Sequence, residues 1–495
     1  MIQNRHWLTY LHQRKKVHLY FFGACLIILS SCGNIKQKEK SAKTPSQQIP
    51  KQVFQVGKIY PKVSCAQGPA FSYSLYLPHE YRTGKPSPVI FFFDAHARGW
   101  LPIAKYKNLA DSLGYILVAS NDSKNGLSST KRNEIIYQFM ADVEHRFTID
   151  SRRIYTSGFS GGARIASGIG IANQYIAGVM GCAAGFPQVS TPIRTDFAYV
   201  GIVGNKDFNY LEMRYLDQKL EANHQTHLLL IFDGKHEWPP ARVMRRAMLF
   251  MEMDAMRKNL IPGNEPQIAK TKEMLEQDRN KASVVNDAWA RFRADQQLVA
   301  CLSGLAPVQN YRIEMDKLRQ SRSFQKRQVE DIDLLHEESK SQQNLSNALQ
   351  VQDENWWQQK IAQIYKHEKS ANSNDIRLMN RRLLNYLSLM AYLYVDGNLK
   401  QGNANSAGKY LMIYEKVDPT NPEVYFLKAQ QRAMLGGSAH AIYHYLEKAV
   451  KMGFQDTKRF NNLPYFASLR QSLRFQNLAK QVLQNHEKAE EHPSE

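Results

Sequence analysis

The chain has 495 residues, 43% of them hydrophobic, and a formal net charge of +20. That length exceeds one ordinary core and calls for two to four domains. The charge raises the question of nucleic acid, but no nucleic-acid motif is present and the Lys and Arg residues are spread along the whole chain, so a solvated basic surface is expected and no nucleic-acid partner.

Residues 1–16 carry Arg5, Arg14, Lys15 and Lys16 and no acid, and an apolar run over 17–29 follows. The run is too short to span a bilayer comfortably and has the form of a signal-peptide h-region. Leu29-Ser30-Ser31-Cys32-Gly33 resembles the bacterial lipobox, whose cysteine is lipidated and becomes the new N-terminus. The resemblance implies a signal peptide over 1–31, lipidation at Cys32, and membrane attachment in the bacterial cell envelope, periplasmic or at the outer membrane. The alternative is a plain secretory signal. Residues 33–53 hold five lysines, one glutamate and few core-forming side chains, so 32–53 reads as a flexible tether. Cys65, Cys182 and Cys301 allow at most one internal disulfide, and no pair has metal-ligand spacing. Cys182 reads as an inert core residue. No metal and no cofactor is expected.

Over 54–258 short apolar runs alternate with helical patterns. Strands are expected at 71–77, 88–94, 115–120, 153–157, 178–183, 198–203 and 227–232, and helices at 101–113, 131–147, 161–174, 208–222 and 238–257. Continuous apolar strands separated by helices imply an α/β fold: a mostly parallel, doubly wound sheet covered on both faces. Sites in such sheets form at the carboxyl ends of the strands.

Gly158-Phe159-Ser160-Gly161-Gly162 falls between the 153–157 strand and a Gly- and Ala-rich helix. The pattern G-x-S-x-G turns a strand sharply into a helix and holds a serine hydroxyl at the apex. Such a serine needs a base, and the base an orienting acid. Asp207 follows the 198–203 strand in a Gly-Asn-Lys turn, and His236 follows the final strand. Asp233 is the reserve acid. Asp196, His224 and His227 lie at the opposite end of the sheet.

Ser160, Asp207 and His236 in that chain order resemble the α/β-hydrolase superfamily. The strings G-F-S-G-G, G-N-K-D and G-K-H-E-W resemble its poly(hydroxyalkanoate) depolymerase and feruloyl esterase branch, over roughly residues 60–257. The resemblance implies acyl transfer on an ester substrate: Ser160 attacks, His236 shuttles the proton, Asp207 orients the imidazole. Where many relatives have His-Gly, this chain reads Phe93-Asp94-Ala95-His96-Ala97-Arg98-Gly99. The oxyanion donors are then the N–H of Gly161 and that of Ala95 or His96. Asn121, Asn125 and Trp238 are further candidates to line the substrate. Only about a dozen residues separate the 178–183 and 198–203 strands, which leaves no room there for a helical cap. An open site suits bulky or polymeric substrates such as acylated polysaccharides.

Beyond 258 the character becomes helical, with a region over 259–380 in which Trp356-Trp357 reads as a packing anchor. Over 381–485, Ala407, Leu411, Tyr414 and Pro419, and then Ile442, Leu446, Ala449 and Phe454, resemble the second-helix spacing of tetratricopeptide repeats. The first-helix signature is largely missing. A repeat array implies a protein partner. Two other functions stand beside the esterase: a serine peptidase of the same fold, and a scaffold with an inactive hydrolase domain.

Overall fold

The computed structural model describes residues 53–188, 196–284 and 287–491. The expected signal peptide, Cys32 and all but the last residue of the tether lie outside the described residues. Eight strands form one sheet in the order β1-β2-β4-β3-β5-β6-β7-β8. These are β1 (Ile59–Ser64), β2 (Ser72–Tyr76), β3 (Ser87–Asp94), β4 (Ile116–Ser120), β5 (Ile149–Phe159), β6 (Ile176–Cys182), β7 (Ala198–Gly204) and β8 (His227–Phe232). Strands β3 to β8 are parallel, and β2 pairs antiparallel to both β1 and β4. This is the mostly parallel sheet of the α/β-hydrolase fold, followed by a long all-helical region.

β1 was not among the expected strands. It contains Pro61, and its register slips between Tyr60 and Val63. Both features belong to an edge, where a missing N–H breaks no inner ladder.

Alternation sorts each strand between two faces. Val89, Phe91 and Phe93 of β3 pack with Phe139 and Val143 of the Ser129–Arg146 helix and Ala166 of the Gly161–Ala172 helix. Ile90 and Phe92 pack on the other face with Ile103 and Tyr106 of the Trp100–Leu113 helix and with the Ala241–Arg257 helix. Each buried phenylalanine contributes about 1.5–3 kcal/mol relative to exposure.

That second core continues past residue 258. It takes in Ile268 and Leu275 of the Glu265–Val284 helix, Leu298, Cys301 and Leu302 of the Ala288–Leu302 helix, and Tyr311. A separate apolar cluster runs from Leu345 to Val482. Within it Trp357 is fully buried, with Trp356 edge-on to it. Ala407, Leu411, Tyr414, Ile442, Leu446, Ala449 and Phe454 are all buried. The Pro422–Met434 and Ala439–Lys451 helices pack together, capped by Asn421 and Ser438. The described residues form one compact unit.

Candidate active site

The elbow begins where β5 ends. Ser160 adopts φ 55° and ψ −121°, and the Gly161–Ala172 helix starts at the next residue. A positive φ is costly for a side-chain-bearing residue and persists only where its surroundings enforce it. Here they do. A Cβ on Gly158 would strike the Gly162 carbonyl, and one on Gly162 would strike the Phe93 carbonyl. The Ser160 N–H donates to the Cys182 carbonyl at 2.9 Å, which ties the elbow to β6.

The turn after β7 buries Asp207 completely, and the loop after β8 brings His236 to it. His236 Nδ1 lies 3.0 Å from both Asp207 oxygens, and Nε2 lies 3.0 Å from Ser160 Oγ. With Nδ1–H donating to the carboxylate, Nε2 is left to accept the serine proton. Asp207 also accepts from the Asn209 N–H at 2.8 Å. The two loops are stitched together by Asn205 N–H to the Phe232 carbonyl at 2.8 Å and Lys206 N–H to the Gly234 carbonyl at 2.9 Å. Asp233 instead faces solvent and pairs with Lys206 Nζ at 2.7 Å. His227 sits at the start of β8, paired with Asp217 at 3.2 Å.

The His236 ring contacts two aromatic rings. Phe208 stacks on it with centroids 4.0 Å apart, and Phe159 stands at 4.7 Å. Neither had been singled out, although each neighbours a residue that was.

The loop after β3 is organised by Asp94, another residue given no role from sequence. Its carboxylate accepts from Arg98 Nε and Nη2, each at 3.0 Å, from Trp238 Nε1 at 2.8 Å, and from the His96 N–H at 2.8 Å. Burial alone would raise its pKa, but Arg98 and these N–H donors outweigh burial and hold it below the usual carboxylate range. The His96 amide is therefore occupied by Asp94. Burial and the Arg98 guanidinium push the His96 imidazole below its ordinary range.

The remaining candidates divide. Asn125 is exposed, and its Oδ1 lies against Gly161, where a Cβ would collide with it. Asn121 points away: its amide donates to the Pro61 carbonyl at 3.0 Å and accepts from Ser74 Oγ at 3.0 Å, binding β4 to the sheet edge. Trp238 is buried against Phe92, Tyr106 and Phe159. Both are placed as structural supports, not as substrate-lining groups, because their polar atoms are spent inside the protein.

The segment between β6 and β7 includes 189–195, outside the described residues. The helical region reaches the turn after β7. From the Asn374–Lys400 helix, Arg382 Nη1 donates to the Asn205 carbonyl at 2.9 Å and Asn385 Nδ2 to the Lys206 carbonyl at 2.7 Å. Asp456, the N-cap of the Thr457–Asn462 helix, is close enough for its charge to act on His96.

No protein-family model matches the chain, and no curated protein matches it. Among solved structures, the chain is similar to S-formylglutathione hydrolase from Staphylococcus aureus, with 13% identity and a TM-score of 0.33 over 40% of this chain and 99% of that one. It is similar to a feruloyl esterase module from Clostridium thermocellum complexed with sinapinate, with 13% identity and a TM-score of 0.31 over 40% and 86%. An esterase from Pyrobaculum calidifontis gives 13% identity and a TM-score of 0.31 over 42% and 87%.

Proposed function

We propose that the chain is a serine hydrolase of carboxylic esters, acting through Ser160, His236 and Asp207. The observation that carries this reading is the continuous chain from Ser160 Oγ to His236 to buried Asp207, at the carboxyl edge of a parallel sheet and on a strained serine. Ser160 Oγ attacks the ester carbonyl and its proton passes to His236 Nε2. The resulting oxyanion takes hydrogen bonds from the N–H groups of Gly161, free as the first residue of a helix, and Ala95; losing one such donor costs about 3–4 kcal/mol. His236 then protonates the departing alkoxide, leaving an acyl-Ser160. Water, deprotonated by His236, releases the acid and restores the serine.

The finer reading is a lipid-anchored esterase of the cell envelope, attached through Cys32, with an open site for bulky or polymeric acylated substrates. Its tetratricopeptide-like hairpins supply a surface for a protein partner. The test is hydrolysis of a short-chain p-nitrophenyl ester by residues 54–495 beside Ser160→Ala, Asp207→Asn and His236→Ala. Turnover by the parent and loss in all three supports the reading. A parent that is inert, and that no fluorophosphonate labels, overturns it in favour of a scaffold. Membrane association unchanged by Cys32→Ser would overturn the anchor.

A further inference from the structure

We infer that the C-terminal helices belong to the catalytic apparatus: Arg382 and Asn385 are positioning residues that hold the turn carrying Asp207 against His236. This rests on the reading of Ser160, His236 and Asp207 as a working triad.

The turn from Gly204 to Asp207 lies at the end of a strand, where its carbonyls would ordinarily be hydrated and free to move. Here two consecutive carbonyls are instead captured by one rigid helix. Asn205 O accepts from Arg382 Nη1 at 2.9 Å and Lys206 O from Asn385 Nδ2 at 2.7 Å. The acid is the next residue in the chain.

Arg382 is itself fixed on every side. Its Nε and Nη2 form a fork on Glu338 of the Arg322–Val351 helix, at 2.8 and 2.6 Å, and Glu338 is fully buried. Its guanidinium lies 4.2 Å from the Tyr210 ring centroid. A planar, permanently charged fork can satisfy a carboxylate with one edge and a carbonyl with the remaining nitrogen; a lysine cannot do both. Tyr210 opens the helix just past the acid, and its hydroxyl accepts from Arg214, which is paired with Asp331 of the same Arg322–Val351 helix at 2.6 Å. The acid turn is thus gripped before and after Asp207 by groups that interior packing does not require. A buried ion pair stabilises little by itself, because desolvating both charges offsets their attraction. Its value here lies in geometry: Asp207 meets His236 with both oxygens at 3.0 Å, and a shift of the turn by one ångström would break that arrangement.

The experiment uses residues 54–495 with Arg382→Lys, which keeps a partner for Glu338, and Asn385→Leu, which keeps the volume. Glu423→Gln serves as a control that weakens the Arg459 ion pair inside the helical region without touching the turn. Two readouts are taken. One is the low-field proton resonance of His236 Nδ1–H, which reports its bond to Asp207 whether or not the protein turns over substrate. The other is ester hydrolysis, resolved into kcat and KM.

Both turn variants are expected to broaden or shift the resonance and to lower kcat about 10–100-fold with KM little changed, while Glu423→Gln does neither. An unchanged resonance and kcat in both folded variants overturns the inference. Should Arg382→Lys fail to fold, Asn385→Leu alone decides. A wild-type chain that shows the resonance but never reacts with a phosphonate refutes the hydrolase reading, and the resonance comparison then still judges the clamp.

Discussion

Trp238 Nε1 donates to Asp94 Oδ2 at 2.8 Å, joining the loop after β8 to the loop after β3. The indole is buried among Phe92, Tyr106 and Phe159, so the bond sits in apolar surroundings. Trp238→Phe keeps most of the packing and removes the donor. Asp94 retains Arg98, so the expected loss is about 1–2 kcal/mol. It should appear as a lower denaturant midpoint at constant slope, together with a fall in kcat as the Ala95 segment loosens.

The two glycines after Ser160 should respond differently to the same methyl group. On Gly162 the new Cβ meets the Phe93 backbone, which cannot withdraw without breaking β3 from β5. On Gly161 it meets the end of the exposed Asn125 side chain, which can swing away. Gly162→Ala is expected to cost more than about 3 kcal/mol, on the scale of overpacking, and to abolish soluble yield. Gly161→Ala should keep its melting temperature and lose activity, because it displaces Asn125 beside the oxyanion donor. Equal melting temperatures for the two variants would contradict this account.

His227 supplies a pH dependence away from the site. Burial works against its charged form, but the hydrogen bonds its ring donates to the Asp217 carboxylate and the Gln225 carbonyl outweigh burial and raise its pKa. A raised imidazole favours the folded state below the unfolded value of about 6.5. That stability disappears as pH climbs through the raised folded value. Wild-type stability should therefore fall between about pH 6 and about pH 9 more than that of Asp217→Asn. Denaturant titrations at the two ends give the difference. Identical slopes in the two proteins would exclude the linkage.

A chain ending at Lys258 should not behave as a domain. Ile268, Leu275, Leu298 and Leu302 fill the face beneath the Ala241–Arg257 helix, and their removal exposes that surface. The expected outcome is aggregation or dye binding by 53–258. A soluble, cooperatively melting 53–258 fragment would show that the sheet closes its own core.

The meeting of Ser160, Asp207 and His236 was legible because each sits beside a local signal. Glycines crowd Ser160, a tight turn precedes Asp207, and a Gly-Lys turn precedes His236. Apolar runs too long to be half-exposed marked seven of the eight strands. β1 escaped because Pro61 and a broken register blur its alternation. Asp94 and Phe208 looked ordinary because their significance lies in partners distant in sequence: Trp238 for one, the His236 ring for the other. Arg382 and Asn385 were hidden more deeply still. Their acceptors are backbone carbonyls, which every residue possesses, so no residue type at the far end announces them. The continuous core across 258 was obscured in the same way, since a change in composition marks where strands stop, not where packing stops.

The bond between Arg382 and Asn205 spans 177 positions of the chain. During synthesis the acceptor leaves the ribosome first, and at 5–20 residues per second its donor follows roughly 10–35 s later. For most of that interval Ser160, Asp207 and His236 have all been made while the acid turn is still unheld. On the proposed reading, a nascent chain with this wiring reaches full activity toward esters only once Arg382 has emerged, about three quarters of the way along its 495 residues.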